Sequence, residues 1–150
     1  MTFKYRTSRT RRLARTGTKP QLAKEDEELT GFVQGKRATE PEERWYRAAL
    51  KNRAILQTTF QINMGSPGLQ GQRQLDFLHR TVFGWRAVEV DGAAFVHKGE
   101  SKRARDRLRD IQRIEGLRKM SIRVLEIEHV TDDRLQTQAD SDKRAKEVFG

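Results

Sequence analysis

The feature that most constrains this chain is the segment from Arg73 to Gly92, where acidic side chains stand inside strand-like hydrophobic runs. Asp76 lies within one short apolar run, and Glu89 and Asp91 lie near the end of a second. A carboxylate is costly to bury unless a cation compensates it. Two adjacent strands that each offer a carboxylate at the same end predict a site for Mg²⁺ or Mn²⁺. In so basic a chain, this points to chemistry on phosphodiesters.

The positive charge is concentrated at the N-terminus. The net charge is +10, and Met1 to Lys24 holds eight Lys or Arg residues and no acid. A basic arm with few large apolar residues favours polyanions, and it binds phosphates without reading sequence. A solubilising or targeting tail is the alternative. The side chains predicted to contact nucleic acid are Arg9, Arg11, Arg12, Arg15, Lys98, Lys102 and Arg103.

Several classes of protein are excluded by composition. The chain has no cysteine, so disulfides and thiolate zinc sites are excluded. The three histidines lack paired metal-ligand spacing, and His79 and His129 are predicted to be surface residues. No apolar run approaches the length of a membrane span or a signal-peptide core. We therefore expect no membrane contact and a cytoplasmic protein, with a virion location as the alternative.

The hydrophobic periodicity predicts an α/β fold with a mixed sheet flanked by helices. A basic arm and linker is expected over residues 1–38, a folded domain over 39–130 and a polar tail or helix over 131–150, which would pack weakly. Thr39 or Glu40 caps the first helix, because Pro41 suits the first turn and acids follow it. The predicted order is helix, three strands, helix, strand, with the elements Thr39–Asn52, Ile55–Met64, Leu75–Leu78, Arg86–Val90, Glu100–Met120 and Ile122–Ile127.

Over Thr39 to Val130 the chain resembles the Vsr-like domains, relatives of the very-short-patch-repair endonuclease within the restriction-endonuclease-like PD-(D/E)xK superfamily. The resemblance rests on a set of motifs in order along the chain. These are Pro41-Glu42-Glu43-Arg44, Phe60-Gln61, Leu75-Asp76-Phe77, Val88-Glu89-Val90-Asp91-Gly92, His97, Arg105-Asp106, Arg109-Asp110 and Val124-Leu125-Glu126-Ile127. The likeness implies an αβββαβ core and metal-dependent cleavage of DNA phosphodiesters.

The resemblance also implies roles for particular residues. Asp76 corresponds to the metal-binding aspartate and Glu89 to the acid of the (D/E)xK half. Asp91 stands where the superfamily usually has its lysine, so the water would be activated by the metal, by Asp91 or by His97. His97 stands one position further from the glycine than in relatives. Supporting positions complete the assignment: Glu43 as a further metal ligand, Gln61 after the first strand, and Asp106 and Asp110 on the long helix, which could orient arginines.

Other interpretations remain open at this point. A noncatalytic nucleic-acid-binding or virion-associated structural protein would keep the fold without cutting, and an RNA-processing nuclease would use the same site on another substrate. The arm could also anchor the protein in a larger nucleoprotein assembly. Glu43 could merely complete a helix cap, and His97 could be an ordinary loop residue. Asp76 alone would suit a strand end; its pairing in order with Glu89 and Asp91 favours the metal site.

Overall fold

The computed structural model describes residues 28–64, 74–92 and 100–150, with the backbone alone for 100–105. A short hairpin precedes the first helix, and a single turn of 3₁₀-helix at Asp132–Arg134 precedes the last one. The elements are β1 (Phe32–Val33), β2 (Lys36–Arg37), α1 (Glu40–Lys51), β3 (Ile55–Asn63), β4 (Gln74–Thr81), β5 (Gly84–Asp91), α2 (Glu100–Lys119), β6 (Ile127–Thr131) and α3 (Gln138–Phe149).

The main sheet is mixed, with strand order β3-β4-β5-β6. Strands β3, β4 and β5 pair antiparallel, whereas β6 pairs parallel to β5 with Glu89 opposite His129 and Asp91 opposite Thr131. A parallel pair needs a crossover connection, and α2 lies within it. The predicted α/β class with a mixed four-stranded sheet flanked by helices is therefore confirmed. Among the described residues, no helix is long and apolar enough to span a membrane.

The first helix begins where the sequence predicts. Thr39 is the N-cap: its side chain accepts from the Glu42 amide, and the Glu42 carboxylate accepts from the Thr39 amide. This reciprocal capping box satisfies two donors that the helix leaves unpaired. Pro41 occupies the first turn, where its missing N–H costs nothing. The boundary therefore follows from local chemistry.

Two hydrophobic cores lie on opposite faces of the sheet, since neighbouring strand residues such as Phe77 and Leu78 belong to different cores. Helix α2 covers one face through Leu117. Helices α1 and α3 cover the other through side chains that include Trp45 and Phe149. The hairpin also contributes to that second core, which thus extends beyond residues 39–130 at both ends. Its buried members are Val33, Trp45, Ala48, Phe60, Phe77, Val88, Val130, Leu135, Ala145 and Phe149.

Three of the predictions are contradicted at the level of elements and core packing. The last strand lies over Ile127–Thr131 rather than Ile122–Ile127, because Ser121 has a positive φ of 65° and Leu125 points outward with 90 % exposure. The final helix does not pack weakly, since it has buried members that include Ala145 and Phe149. His79 is not a surface residue but is fully buried.

Candidate active site

The strand ladder between β4 and β5 opens at Asp76 and Glu89. The backbone pairs run from Thr81–Gly84 to Phe77–Val88, and Asp76 and Glu89 are next in register. Here side chains take over from the backbone: the Asp76 amide donates to Glu89 Oε2 at 2.8 Å, and the Val90 amide donates to Asp76 Oδ2 at 2.9 Å. Both carboxylates are therefore turned into the gap between the strands.

The neighbouring strand is distorted at the same level. Gln61 lies opposite Asp76, between the pairs Phe60–Phe77 and Ile62–Leu75. It has a φ of 58°, a left-handed conformation that costs a non-glycine residue about 1–2 kcal/mol. The distortion puts Phe60 and Ile62 into different cores although they are two apart on one strand. Gln61 thus shapes the backbone beside Asp76, and its carbonyl accepts from Lys36 Nζ at 3.2 Å.

The two carboxylates are short of positive charge. Burial, opposed by the Val90 amide and reinforced by Glu42 and Asp91, raises the pKa of Asp76 to about 6. Burial and the charge of Asp76 raise the pKa of Glu89 to about 8. Glu89 is only 7 % exposed. A raised pKa means that the fold disfavours the ionised form, as expected where like charges converge away from water.

A single arginine from α2 faces the pair among the described residues. Arg113 Nη2 lies 3.3 Å from Glu89 Oε1, and its Nη1 donates to Asp110 Oδ1 at 2.9 Å. Its Nε donates to the Gln74 carbonyl at 3.1 Å. Its charge lowers the pKa of both strand carboxylates, yet burial and the charges of neighbouring acids outweigh it.

A histidine connects the remaining acids. His129 Nδ1 lies 2.5 Å from Asp91 Oδ2, and His129 Nε2 lies 2.6 Å from Asp110 Oδ2. Burial lowers the pKa of His129, but the hydrogen bonds to Asp110 and Asp91 outweigh it and raise the value to about 10. The imidazole is therefore cationic at neutral pH, and it ties the end of β5 to α2. The prediction of a surface residue is wrong here too, because the side chain is half-buried between these two acids.

The charge of this cluster does not balance. It contains four carboxylates and two cationic side chains, namely Asp76, Glu89, Asp91 and Asp110 with Arg113 and His129. With all four acids ionised, two negative charges are left without a partner inside the cluster. Among the described residues, no three His, Asp or Glu side chains form a ready-made metal cage. The deficit is thus centred on a pair of acids, and a divalent cation would cancel it.

The carboxylate of Glu43, which the resemblance makes a metal ligand, is bound to the segment before β1. Its Oε1 accepts from the Gly31 amide at 2.6 Å, and its Oε2 accepts from the amide and hydroxyl of Thr30, both at 2.9 Å. Arg47 also pairs with it at 3.1 Å. These contacts anchor the segment before β1 to α1. It is the neighbouring Glu42 whose charge reaches Asp76.

Of the other predicted site residues, Asp106 is half-buried on α2 and lies 3.9 Å from Arg109 Nη1. His97, Lys98 and the arm arginines lie outside the described residues, as do the side chains of Lys102 and Arg103. Sequence reasoning missed Arg113 and His129. A last strand predicted to begin at Ile127 and to pair in parallel with β5 would have placed His129 opposite Glu89.

No protein-family model, no curated protein and no solved structure matches this chain.

Proposed function

We propose that this protein is a metal-dependent endonuclease with a restriction-endonuclease-like, Vsr-like core, which hydrolyses DNA phosphodiester bonds. The observation that carries the proposal is the convergence of Asp76 and Glu89 in the opened β4–β5 ladder, each with a raised pKa. The observed order of helix, three strands, helix and strand is compatible with that core.

The donor set suits Mg²⁺ or Mn²⁺. Magnesium keeps several waters and binds proteins through one or two carboxylates together with substrate phosphates, so a three-ligand cage is not required. Asp76 and Glu89 would hold the ion, and its two positive charges match the deficit of the cluster. When bound, the cation supplies charge neutralisation for the phosphodiester and acidifies a water molecule.

The chain's own residues supply orientation and proton transfer. Asp91 follows Glu89 by two positions on one strand, so both side chains lie on the same face. His129 holds Asp91 from one oxygen and leaves the side chain about one-fifth exposed. Asp91 is thus a base that is already oriented and that accepts a proton from the attacking water. This assignment replaces the lysine of the superfamily pattern.

DNA is the proposed substrate because the sequence of the arm is strongly basic. The arm carries eight positive side chains and no acid. Such a segment follows a phosphate backbone and makes affinity dependent on salt. An RNA substrate would meet the same site, and the arm could also join a larger nucleoprotein or virion assembly.

A noncatalytic nucleic-acid-binding protein is the second candidate, and one observation favours it. Arg113 already pairs with Glu89, which reduces the need for a metal ion. Such a protein would bind DNA without a divalent cation and would leave it intact. It would also be indifferent to the identity of Asp76.

Nicking of supercoiled plasmid in Mg²⁺ tests the proposal. We expect Asp76→Asn and Glu89→Gln to lower the rate by about 10³-fold or more, because each removes a negative ligand. Asp133→Asn, on an exposed residue of the 3₁₀ turn, is the matched control and should cut as the wild type does. Glu89→Gln should also fold at least as stably, since it removes a poorly compensated buried charge.

The proposal is wrong if the wild type and both site variants cleave at the same rate. It is also wrong if the wild type cleaves neither DNA nor RNA. Matched DNA and RNA duplexes assayed side by side would identify the polymer. Intact DNA together with salt-sensitive binding would favour the noncatalytic candidate.

A further inference from the structure

Arg113 is a largely buried cation of this site. It lies within the last two turns of α2, and its side chain is only 14 % exposed. Its guanidinium has three partners on three parts of the chain: the Gln74 carbonyl, Asp110 and Glu89. In this structure the positive charge that faces Glu89 is therefore a guanidinium.

The three contacts are not equivalent. The contacts with Asp110 at 2.9 Å and with the Gln74 carbonyl at 3.1 Å are within the usual hydrogen-bond range, whereas the one with Glu89 is an ion pair at 3.3 Å. His129 fixes the other oxygen of Asp110 at 2.6 Å, so the inner anchor is itself held in place. The guanidinium could thus lose Glu89 without leaving the site.

We propose that Arg113 exchanges partners at this site: its guanidinium holds Glu89 until a divalent cation takes that carboxylate, and it then binds a phosphodiester oxygen. The inference rests on the proposed function. It adds a substrate-binding residue that no motif of the sequence indicates, and it gives that residue a second task before the cation arrives.

The chemistry of the side chain suits both tasks. A guanidinium is permanently charged and planar, and its forked N–H groups match a carboxylate and a phosphate equally well. Mg²⁺ shares its coordination between carboxylates and substrate phosphates, so a phosphate bound together with Glu89 would come close to Arg113. Arg113, still held by Asp110, then lies beside an anion of the shape it prefers.

The exchange predicts whether the affinity for a divalent cation rises or falls when Arg113 is removed. If Arg113 competes for Glu89, its removal raises the affinity of the site for a divalent cation. If Arg113 only supports the fold around Glu89, its removal lowers that affinity. Two positive charges a few ångströms apart at a partly buried site repel enough for a change of about tenfold.

Mn²⁺ binding to the full chain, measured by titration calorimetry without nucleic acid, is the first test. We expect Arg113→Met to bind Mn²⁺ about tenfold more tightly than the wild type. Methionine keeps an unbranched apolar stem for packing while removing the charge.

Helix α2 offers a matched control. Arg118 pairs with Glu115 three positions earlier, as Arg113 pairs with Asp110, but it is 67 % exposed and its partner is a residue of the same helix rather than of a strand. Arg118→Met should leave the Mn²⁺ affinity within about twofold of the wild type, because an exposed charge is screened. If both variants bind Mn²⁺ more tightly by the same factor, the effect comes from net charge alone and the proposed exchange is wrong.

A second test measures the phosphate contact. Binding of a short fluorescent DNA duplex is compared in EDTA and in Ca²⁺, for the wild type and Arg113→Lys. Lysine keeps the charge but lacks the fork, so we expect Arg113→Lys to bind DNA as the wild type does in EDTA and about fivefold to tenfold more weakly in Ca²⁺. Equal affinity of the two proteins in Ca²⁺ would overturn the proposal. This DNA-binding test is decisive if Arg113→Met does not fold.

The two proposals fail in different ways. If the wild type does not bind Mn²⁺, or if Asp76→Asn binds it equally well, the proposed metal site itself is wrong. If that binding exists but Arg113→Met leaves it unchanged or weakens it, only the exchange at Arg113 is wrong. Tighter binding in Arg113→Met, together with a fork-dependent DNA contact in Ca²⁺, supports both.

Discussion

At the scale of single residues, burial decides what each ionisable group can do. His79 shows this away from the site. Trp45 Nε1 donates to its Nε2 at 3.0 Å, and its Nδ1 lies 2.9 Å from Thr58 Oγ1. The neutral ring satisfies both contacts if Nδ1 carries the proton. Burial, together with the nearby charge of Arg86, lowers the pKa of His79 to about 3.

This histidine should make the fold sensitive to acid. The pKa of His79 is lower in the folded chain than its ordinary value of 6.5, so the unfolded chain binds more protons below pH 6.5. Its contribution to the free energy of unfolding is thus present above pH 6.5 and is lost toward pH 3, by about 1.4 kcal/mol per pH unit. Urea unfolding of the wild type and His79→Gln at pH 7 and pH 4.5 measures it. A wild type that loses no more stability than the variant would contradict this account.

At the scale of elements, the N-terminal hairpin closes one edge of the sheet. Gln34 in its turn donates from Nε2 to the Thr58 carbonyl and accepts from the Phe60 amide, so it satisfies the open edge of β3. An unpaired edge strand invites pairing with another chain. Glu43 of α1 holds the segment that leads into this hairpin. The element therefore depends on a buried carboxylate that resemblance alone would assign to metal binding.

Glu43→Gln separates these two roles. The substitution puts an amide donor near the backbone donors of Thr30 and Gly31, so we expect the free energy of unfolding to fall by about 1–3 kcal/mol. The Mn²⁺ affinity of the folded variant should stay close to that of the wild type. Thermal melting and Mn²⁺ titration measure the two effects, with the exposed Glu126→Gln as control. A large loss of Mn²⁺ affinity at unchanged stability would return Glu43 to the metal site.

At the scale of the whole molecule, the positive charge is concentrated in residues 1–24 of the sequence. Removing residues 1–24 leaves 23 basic and 21 acidic side chains, close to balance. The candidate site lies in the remainder of the chain, and its local charge is negative. The expected attraction to a polyanion and the proposed chemistry therefore belong to different stretches of the chain.

Deletion of residues 1–24 should weaken DNA binding without removing the chemistry. Every phosphate that the protein no longer neutralises reduces the slope of log affinity against log salt by about 0.9 in magnitude, so a truncated chain should show a slope flatter by several units. Binding of a duplex between about 50 and 200 mM salt measures this slope. Cleavage of a short duplex at saturating concentration should persist. An unchanged slope would show that the arm does not touch the DNA backbone.

The sequence alone determined the features that depend on near neighbours. The capping box at Thr39, the short apolar runs of β4 and β5 and the periodicity of α2 act over a few residues, so the order of the elements from α1 to β6 could be predicted. The presence of Asp76 and Glu89 in adjacent strands followed from the same patterns. The Vsr-like assignment remains a prediction.

Only the tertiary structure decided which side chains meet. Parallel pairing of β6 with β5 brings His129 to Asp91, and the packing of α2 on the sheet brings Arg113 to Glu89. Neither contact is encoded by local spacing, because the partners are 38 and 24 positions apart along the chain. The contact between His129 and Asp91 was not predicted, because the last strand was expected to end at Ile127 rather than to begin there. Register and packing are collective properties of the folded chain, and the balance of charge around the carboxylate pair depends on both.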